Sequence, residues 1–301
     1  MPSQLKGTGV ALVTPFDENR NVDYDALEKV INHVIRNGVD FIVTLGTTGE
    51  TPTLNSDERR RIVDKTLEVN DNRLPVIIGF GGNDTTKVIK AITAFDMAGI
   101  SGILSASPSY NKPSQEGIYE HYRKISDYTH HDITLYNVPG RTASNISAET
   151  TLRLAEIKNI TGIKEASGNL GQCMEIIKYK PKNFVLLSGD DLLTLPLISL
   201  GAEGVISVVA NAFPGNFSKL VNTCLEGNFG EGKMLHYRLM DTINHLFSEG
   251  NPAGIKCSLE LMHICKSYLR LPLTNVSKQT KDALAREIEK LKSEEIFNQA
   301  P

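Results

Sequence analysis

The chain has 301 residues, and 32 Lys and Arg stand against 35 Asp and Glu for a formal net charge of −3. Hydrophobic residues make up 40% and charged residues 22%, with 24 Gly and 13 Pro. This balance excludes a disordered or collagen-like chain and leaves one large domain, or one with a small appendage.

No basic block marks a nucleic-acid partner. No apolar run approaches the roughly 18–20 residues of a membrane span. Met1-Pro2-Ser3-Gln4-Leu5-Lys6 lacks the apolar core of a signal peptide, so the expected compartment is the cytoplasm. Cys173, Cys224, Cys257 and Cys265 form no CxxC pair and read as reduced, packed thiols. HExxH is absent, and His130-His131 reads as a polar helix end before a strand, so no metal is expected.

In chain order, short apolar runs alternate with amphipathic stretches. Gly9–Pro15 reads as a strand, then Asp23–Asn37 as a helix with Leu27, Val30, Ile31, Val34 and Ile35 on one face. Phe41–Gly46 is followed by a helix over Ser56–Asn70, whose Asp57 and Glu58 suit an N-terminus. Val76–Gly79 precedes Thr85–Ala98, with Gly99 as a C-cap. Gly102–Ala106 precedes Ser114–Tyr128, and Ile133–Asn137 precedes Ala148–Ile157. Ile160–Lys164 precedes Leu170–Lys180, Phe184–Leu187 precedes Leu192–Leu200, and Gly204–Val209 precedes Phe217–Leu225. Near-continuous apolar strands with helical crossovers imply a parallel sheet covered on both faces. Eight such units favour an α/β fold closed into a (β/α)8 TIM barrel over residues 1–227.

Past Gly227 the pattern loses its strands. Gly230–Phe247, Gly254–Tyr268 and Lys278–Ile296 read as helices, punctuated by Asn251-Pro252 and Leu271-Pro272. Residues 228–301 are therefore expected to form a small helical extension. An open dinucleotide-binding sheet is the structural alternative, but no GxGxxG follows the first strand and no Walker lysine motif occurs.

In a barrel of this kind the chemistry lies at the C-terminal ends of the strands. Lys164 ends the sixth strand; burial there favours the neutral amine that attacks a carbonyl, although a lysine simply reaching water fits the position equally. Tyr136, one strand away, can shuttle protons or be a core tyrosine with a satisfied hydroxyl. Thr47 and Thr48, between Gly46 and Gly49, suit a carboxylate or an ordinary tight turn. Arg141, beside Pro139-Gly140, suits a second carboxylate or is a surface arginine. Asp190-Asp191 lack a third ligand nearby in sequence and are not read as a metal site. Glu165 should face away from Lys164, because neighbours on a strand point to opposite faces.

The set Gly46-Thr47-Thr48-Gly49-Glu50, Tyr110-Asn111-Lys112-Pro113, Tyr136-Asn137-Val138-Pro139-Gly140-Arg141 and Gly162-Ile163-Lys164-Glu165-Ala166 resembles the pyruvate-dependent class I aldolases. Within them it is similar to the dihydrodipicolinate synthase family. Leu187-Ser188-Gly189-Asp190-Asp191 and Gly204-Val205-Ile206-Ser207 extend the likeness, and the tail matches mainly through Asn251-Pro252 and Arg270-Leu271-Pro272. The resemblance implies an imine between Lys164 and pyruvate, condensation with aspartate 4-semialdehyde, and no metal or organic cofactor. It implies that Thr47 and its backbone hold the pyruvate carboxylate, with Gly189 and Ile206 lining that pocket. Tyr136, Thr48 and Tyr110 would form a proton relay, Tyr110 reaching in from a neighbouring subunit. Arg141 would bind the aldehyde's carboxylate, and the assembly would be a homotetramer or a tight dimer.

Lysine-inhibited members carry an effector pocket at a subunit interface. The corresponding positions here are Ser56, Arg59, Asn83, Lys87 and Ser109, of which only Asn83 fits, so weak or absent feedback by lysine is expected. A sister aldolase acting on a sialic acid or a 2-keto-3-deoxy sugar acid would keep Lys164 and Tyr136 and change the second-substrate pocket. A non-enzymatic keto-acid sensor would keep the fold alone. Lys256 reads as structural.

Overall fold

The computed structural model describes residues 5–299. Met1–Gln4, which carry part of the leader reading, and Ala300–Pro301 lie outside the described residues. Its strands are β1 (Gly7–Ala11), β2 (Phe41–Thr44), β3 (Val76–Gly81), β4 (Gly102–Ala106), β5 (Asp132–Asn137), β6 (Ile160–Glu165), β7 (Val185–Ser188) and β8 (Gly204–Ser207). They pair in sequence order, all parallel, and β1 also pairs with β8 to close a barrel. In the intervals lie α1 (Tyr24–Arg36), α2 (Ser56–Asn70), α3 (Thr85–Thr93), α4 (Gln115–Ser126), α5 (Pro139–Thr142), α6 (Ala148–Ala155), α7 (Leu170–Tyr179) and α8 (Thr194–Leu200), with α9 (Pro214–Leu225) after β8.

The apolar strands divide their residues by parity, as the pleat requires. Ala11, Phe41, Val43, Ile77, Leu104, Tyr136, Leu187 and Ile206 pack together inside the barrel. Their neighbours Val10, Ile42, Ile78, Ile103, Leu135, Leu186 and Val205 belong to the larger layer between the strands and the helices. The helix starts follow side-chain chemistry. Asp23, Asn55, Asp84, Ser114, Ser147 and Asn169 each accept from a backbone N–H of the first turn, which leaves fewer orphan donors. Asn55 and Glu58 satisfy each other's backbone in a capping box.

Several boundaries differ from the sequence reading. The first strand lies at Gly7–Ala11 rather than Gly9–Pro15, because Gly7 pairs with Gly204 and Val13 N donates to the Asn211 side chain instead of a strand. The eighth ends at Ser207 rather than Val209, where Ser207 Oγ accepts from Ala210 N and starts a 3-10 turn over Val209–Asn211. Helix α3 stops at Thr93 rather than Ala98; Phe95 turns edge-on to Phe80 and Asp96 caps Ala98 N.

Beyond α9 come α10 (Phe229–Phe247), α11 (Ala253–Leu261) and α12 (Lys278–Gln299), with no further strand among the described residues. Helix α11 ends at Leu261 rather than Tyr268. His263 takes a left-handed conformation (φ 60°), and the chain loops back so that Ser267 Oγ donates to Glu260 and the Tyr268 carbonyl accepts from Lys256 Nζ. Helix α10 packs on α8, α9 and α12, which seats the extension against the barrel.

Candidate active site

Lys164 is the penultimate residue of β6 and is 5% exposed. It stands in register with Tyr136 on β5 and Leu187 on β7, and both of those point into the barrel. Its Nζ lies 4.4 Å from the Tyr136 ring centroid. The amine is therefore buried beside a phenol, with no acid on either flanking strand at that level. Glu165 faces the other way, as the pleat requires; its carboxylate accepts from Asn137 Nδ2, Gln172 Nε2 and Ser167 N.

Gly189 follows β7 and makes the space that Lys164 occupies. A Cβ there would lie 3.0 Å from Lys164 Cε and 2.7 Å from the Ala166 Cβ. Ile206 of β8 joins Tyr136 in the inner cluster. So the barrel brings Lys164, Tyr136, Gly189 and Ile206 together at one end.

The Gly46–Gly49 segment forms a 3-10 turn at the end of β2. Thr47 is exposed there, whereas Thr48 is 3% exposed and its Oγ1 accepts from Asn251 Nδ2 at 3.0 Å. Glu50, the last residue of the motif, is buried in a left-handed conformation (φ 53°). Its Oε1 accepts from Lys256 Nζ at 2.5 Å and its Oε2 from Arg270 N at 3.1 Å. Burial pulls the Lys256 amine below the usual lysine range, and Glu50 pulls it back up. Arg270 continues the clamp through the Thr53 carbonyl and both oxygens of Glu58, whose carboxyl it holds below the usual range.

Tyr110 does not join Lys164 within the chain. Its side chain is 87% exposed and its backbone is left-handed (φ 73°). Its N–H donates to the Thr142 carbonyl, so the Tyr110 loop lies against α5, which carries the exposed Arg141.

The acidic pair after β7 splits. Asp190 caps Leu192 N and Leu193 N. Asp191 is buried and accepts from Ser207 Oγ at 2.5 Å and Val208 N at 3.1 Å. Burial pushes its carboxyl up to about 6. Among the described residues, no group of three His, Cys, Asp or Glu is placed to hold a metal, and no helix is long and apolar enough to cross a membrane. The four cysteines are buried and free. At the effector positions, Arg59 donates to the Thr51 carbonyl, the Asn83 carbonyl accepts from Asn111, and Lys87 is 84% exposed beside Asp84.

The sequence singles out Asn251-Pro252, Lys256 and Arg270-Leu271-Pro272 in the tail, but not their contacts with Thr48 and Glu50; the 206 positions separating Glu50 from Lys256 hide that pairing.

A family model described as the dihydrodipicolinate synthetase family matches residues 4–291. A 4-hydroxy-tetrahydrodipicolinate synthase of Phocaeicola vulgatus is 50% identical over 272 residues, covering 90% of this chain and 92% of the relative. That of Porphyromonas gingivalis is 49% identical over 289 residues, covering 94% and 96%. The crystal structure of dihydrodipicolinate synthase from Aquifex aeolicus superposes with a TM-score of 0.92 at 39% identity, covering 96% of this chain and 98% of that one. With its barrel, its buried strand-6 lysine and this agreement over nearly the whole length, the chain belongs to the dihydrodipicolinate synthetase family.

Proposed function

We propose that the chain is a Schiff-base lyase condensing pyruvate with aspartate 4-semialdehyde to 4-hydroxy-tetrahydrodipicolinate, in the diaminopimelate route to lysine. The observation that carries this is the buried Lys164 amine beside the Tyr136 ring, inside the mouth of the barrel. Lys164 attacks the ketone of pyruvate, and water leaves as the imine forms. The iminium accepts the electrons when a methyl proton is lost, so the reaction calls for no metal or organic cofactor. The resulting enamine carbon attacks the aldehyde. The amine of the second substrate then adds to the imine carbon, closes the ring and releases Lys164.

Thr47 and the backbone of its turn hold the pyruvate carboxylate, with Gly189 and Ile206 lining the pocket. Tyr136, Thr48 and Tyr110 pass protons, and Arg141 takes the aldehyde's carboxylate. The exposure of Tyr110 supports a role in the site of an adjoining subunit, in a dimer or a dimer of dimers. The catalytic barrel is residues 1–227, the helical extension is 228–301, and the enzyme works in the cytoplasm.

Incubation with pyruvate, borohydride reduction and mass mapping tests the reading. A pyruvyl addition is expected on Lys164. No adduct, or one on Lys256, overturns it. Higher turnover with N-acetylmannosamine or glyceraldehyde than with aspartate semialdehyde overturns the substrate assignment. Lysine is expected to leave the rate unchanged at millimolar concentration, because exposed Lys87 stands where an acid would be needed.

A further inference from the structure

Gly189 and Ile206 stand on neighbouring strands whose pairing stops just short of them. The β7–β8 ladder ends with Leu187 beside Gly204 and Ser188 beside Val205. Each strand end then leans on its other neighbour. Gly189 N donates to the Glu165 carbonyl of β6 at 2.8 Å. Ile206 and Ser207 stay in register with Gly9 and Val10 of β1, and Asn211 carries that seam further by donating to the Ala11 carbonyl. The wall of the barrel therefore loosens between β7 and β8, and it does so beside Lys164: a Cβ on Gly189 would lie 3.0 Å from Lys164 Cε.

Asp191 crosses this gap. It follows Gly189 by two residues, is buried, and accepts from Ser207 Oγ at 2.5 Å and from Val208 N at 3.1 Å. Ser207 Oγ in turn accepts from Ala210 N, so the tie grips the turn after β8 as well as the strand. The loop that carries Asp191 is itself stiff. Ser188 Oγ donates to the Asp190 carbonyl and accepts from Asp190 N, and Thr194 Oγ1 donates to the same carbonyl. A buried carboxylate is costly to hold, and an apolar side chain would fill the space at less cost. What the carboxylate supplies is a strap of fixed length between two walls whose backbone ladder has ended.

We propose that Asp191 sets the width of the keto-acid pocket: its carboxylate stands in for the β7–β8 ladder and holds Gly189 and Ile206 at a separation that fits pyruvate and rejects a keto acid one carbon longer. Asp191 is thus a positioning residue that selects by size. This rests on the Schiff-base reading above.

Competitive trapping on the full-length enzyme tests it. The protein is incubated with equal concentrations of pyruvate and 2-oxobutanoate and reduced with borohydride, and the two adducts on Lys164 are weighed by mass spectrometry. Wild type is expected to carry mainly the pyruvyl adduct. Asp191→Ala cuts the strap, and the ratio of the longer adduct to the shorter should rise about tenfold, the low end of what one methylene is worth in a fitted pocket. Asp191→Asn can keep both ties, its Oδ1 accepting from Val208 N and its Nδ2 donating to Ser207 Oγ, so its ratio should stay within about twofold of wild type. Ser207→Ala removes one tie and should raise the ratio about threefold; it carries the test if Asp191→Ala does not fold. An unchanged ratio in a folded Asp191→Ala or in Ser207→Ala, or a rise in Asp191→Asn as large as in Asp191→Ala, overturns the proposal, as does a wild type that takes both acids equally. A wild type that traps neither acid on Lys164 overturns the Schiff-base reading instead, and that control tells the two failures apart.

Discussion

Asp191 and His121 are buried groups whose environments act in opposite directions. Burial pushes Asp191 from 3.8 up to about 6, and pushes His121 from 6.5 down to about 4. The folded chain holds the Asp191 proton where the open chain has released it, so that carboxyl lowers stability as pH rises from about 4 to about 6. The open chain takes up the His121 proton that the fold refuses, so that imidazole raises stability between about 4 and 6.5. His33 and His236, also lowered by burial, add to the second effect. Asp191→Asn removes the opposing contribution. Its unfolding midpoint in urea is expected to climb more steeply than wild type across pH 4 to 6.5; parallel curves would mean that Asp191 ionises alike in both states. Neither shift is legible in the sequence, which shows an acidic pair and a helix histidine but not what covers them. Lys164 was legible, because a lysine inside an apolar strand conflicts with its surroundings.

At the scale of elements, the alternation of strand and helix follows directly from apolar runs and capping residues. The ends do not, since tertiary bonds decide them: Asn211 takes Val13 out of the first strand, and Lys256 binds the Tyr268 carbonyl beyond the shortened α11. The Gly46–Asn55 segment is placed in the same way. It makes two 3-10 turns, Thr47–Gly49 and Thr51–Thr53, and the extension grips it between them at Glu50. The Glu50 and Lys256 side chains are wholly removed from solvent. Removing one partner leaves the other as an unmatched buried charge, so Lys256→Met is expected to cost about 3–5 kcal/mol. Glu50→Gln with Lys256→Met should cost less than the sum of the two single changes. Equilibrium unfolding of the three variants measures both, and strict additivity would mean that the pair does not act as a unit.

At the scale of the whole molecule, the site candidates fall into two groups. Lys164, Tyr136, Gly189 and Ile206 are assembled by barrel closure alone. Tyr110 is held at the rim with its ring in solvent. If Tyr110 serves an adjoining subunit, Tyr110→Phe and Lys164→Ala chains are each nearly inactive alone, yet hybrids of the two regain activity. In a hybrid the Lys164 of one chain meets the Tyr110 of the other. Co-refolded mixtures assayed against the separate parents provide the measurement, and no recovery in a mixture shown to hybridise would place Tyr110 outside the neighbour's site.

The seam of the barrel also sets an order in time. Gly7 and Gly204 meet so closely that a Cβ on Gly204 would lie 2.1 Å from the Gly7 carbonyl oxygen. Asn211 locks that seam by donating to the Ala11 carbonyl, 200 positions earlier in the chain. A chain leaving the ribosome makes β1 first and cannot finish the ring until Asn211 has emerged. Until then the growing sheet has two open edges, each able to pair with a strand of another nascent chain. Loop closure over such a distance is slow to be rewarded. The interval between the first strand and the last is therefore when this protein is most exposed to aggregation, and it ends before the extension that completes the catalytic rim has been synthesised.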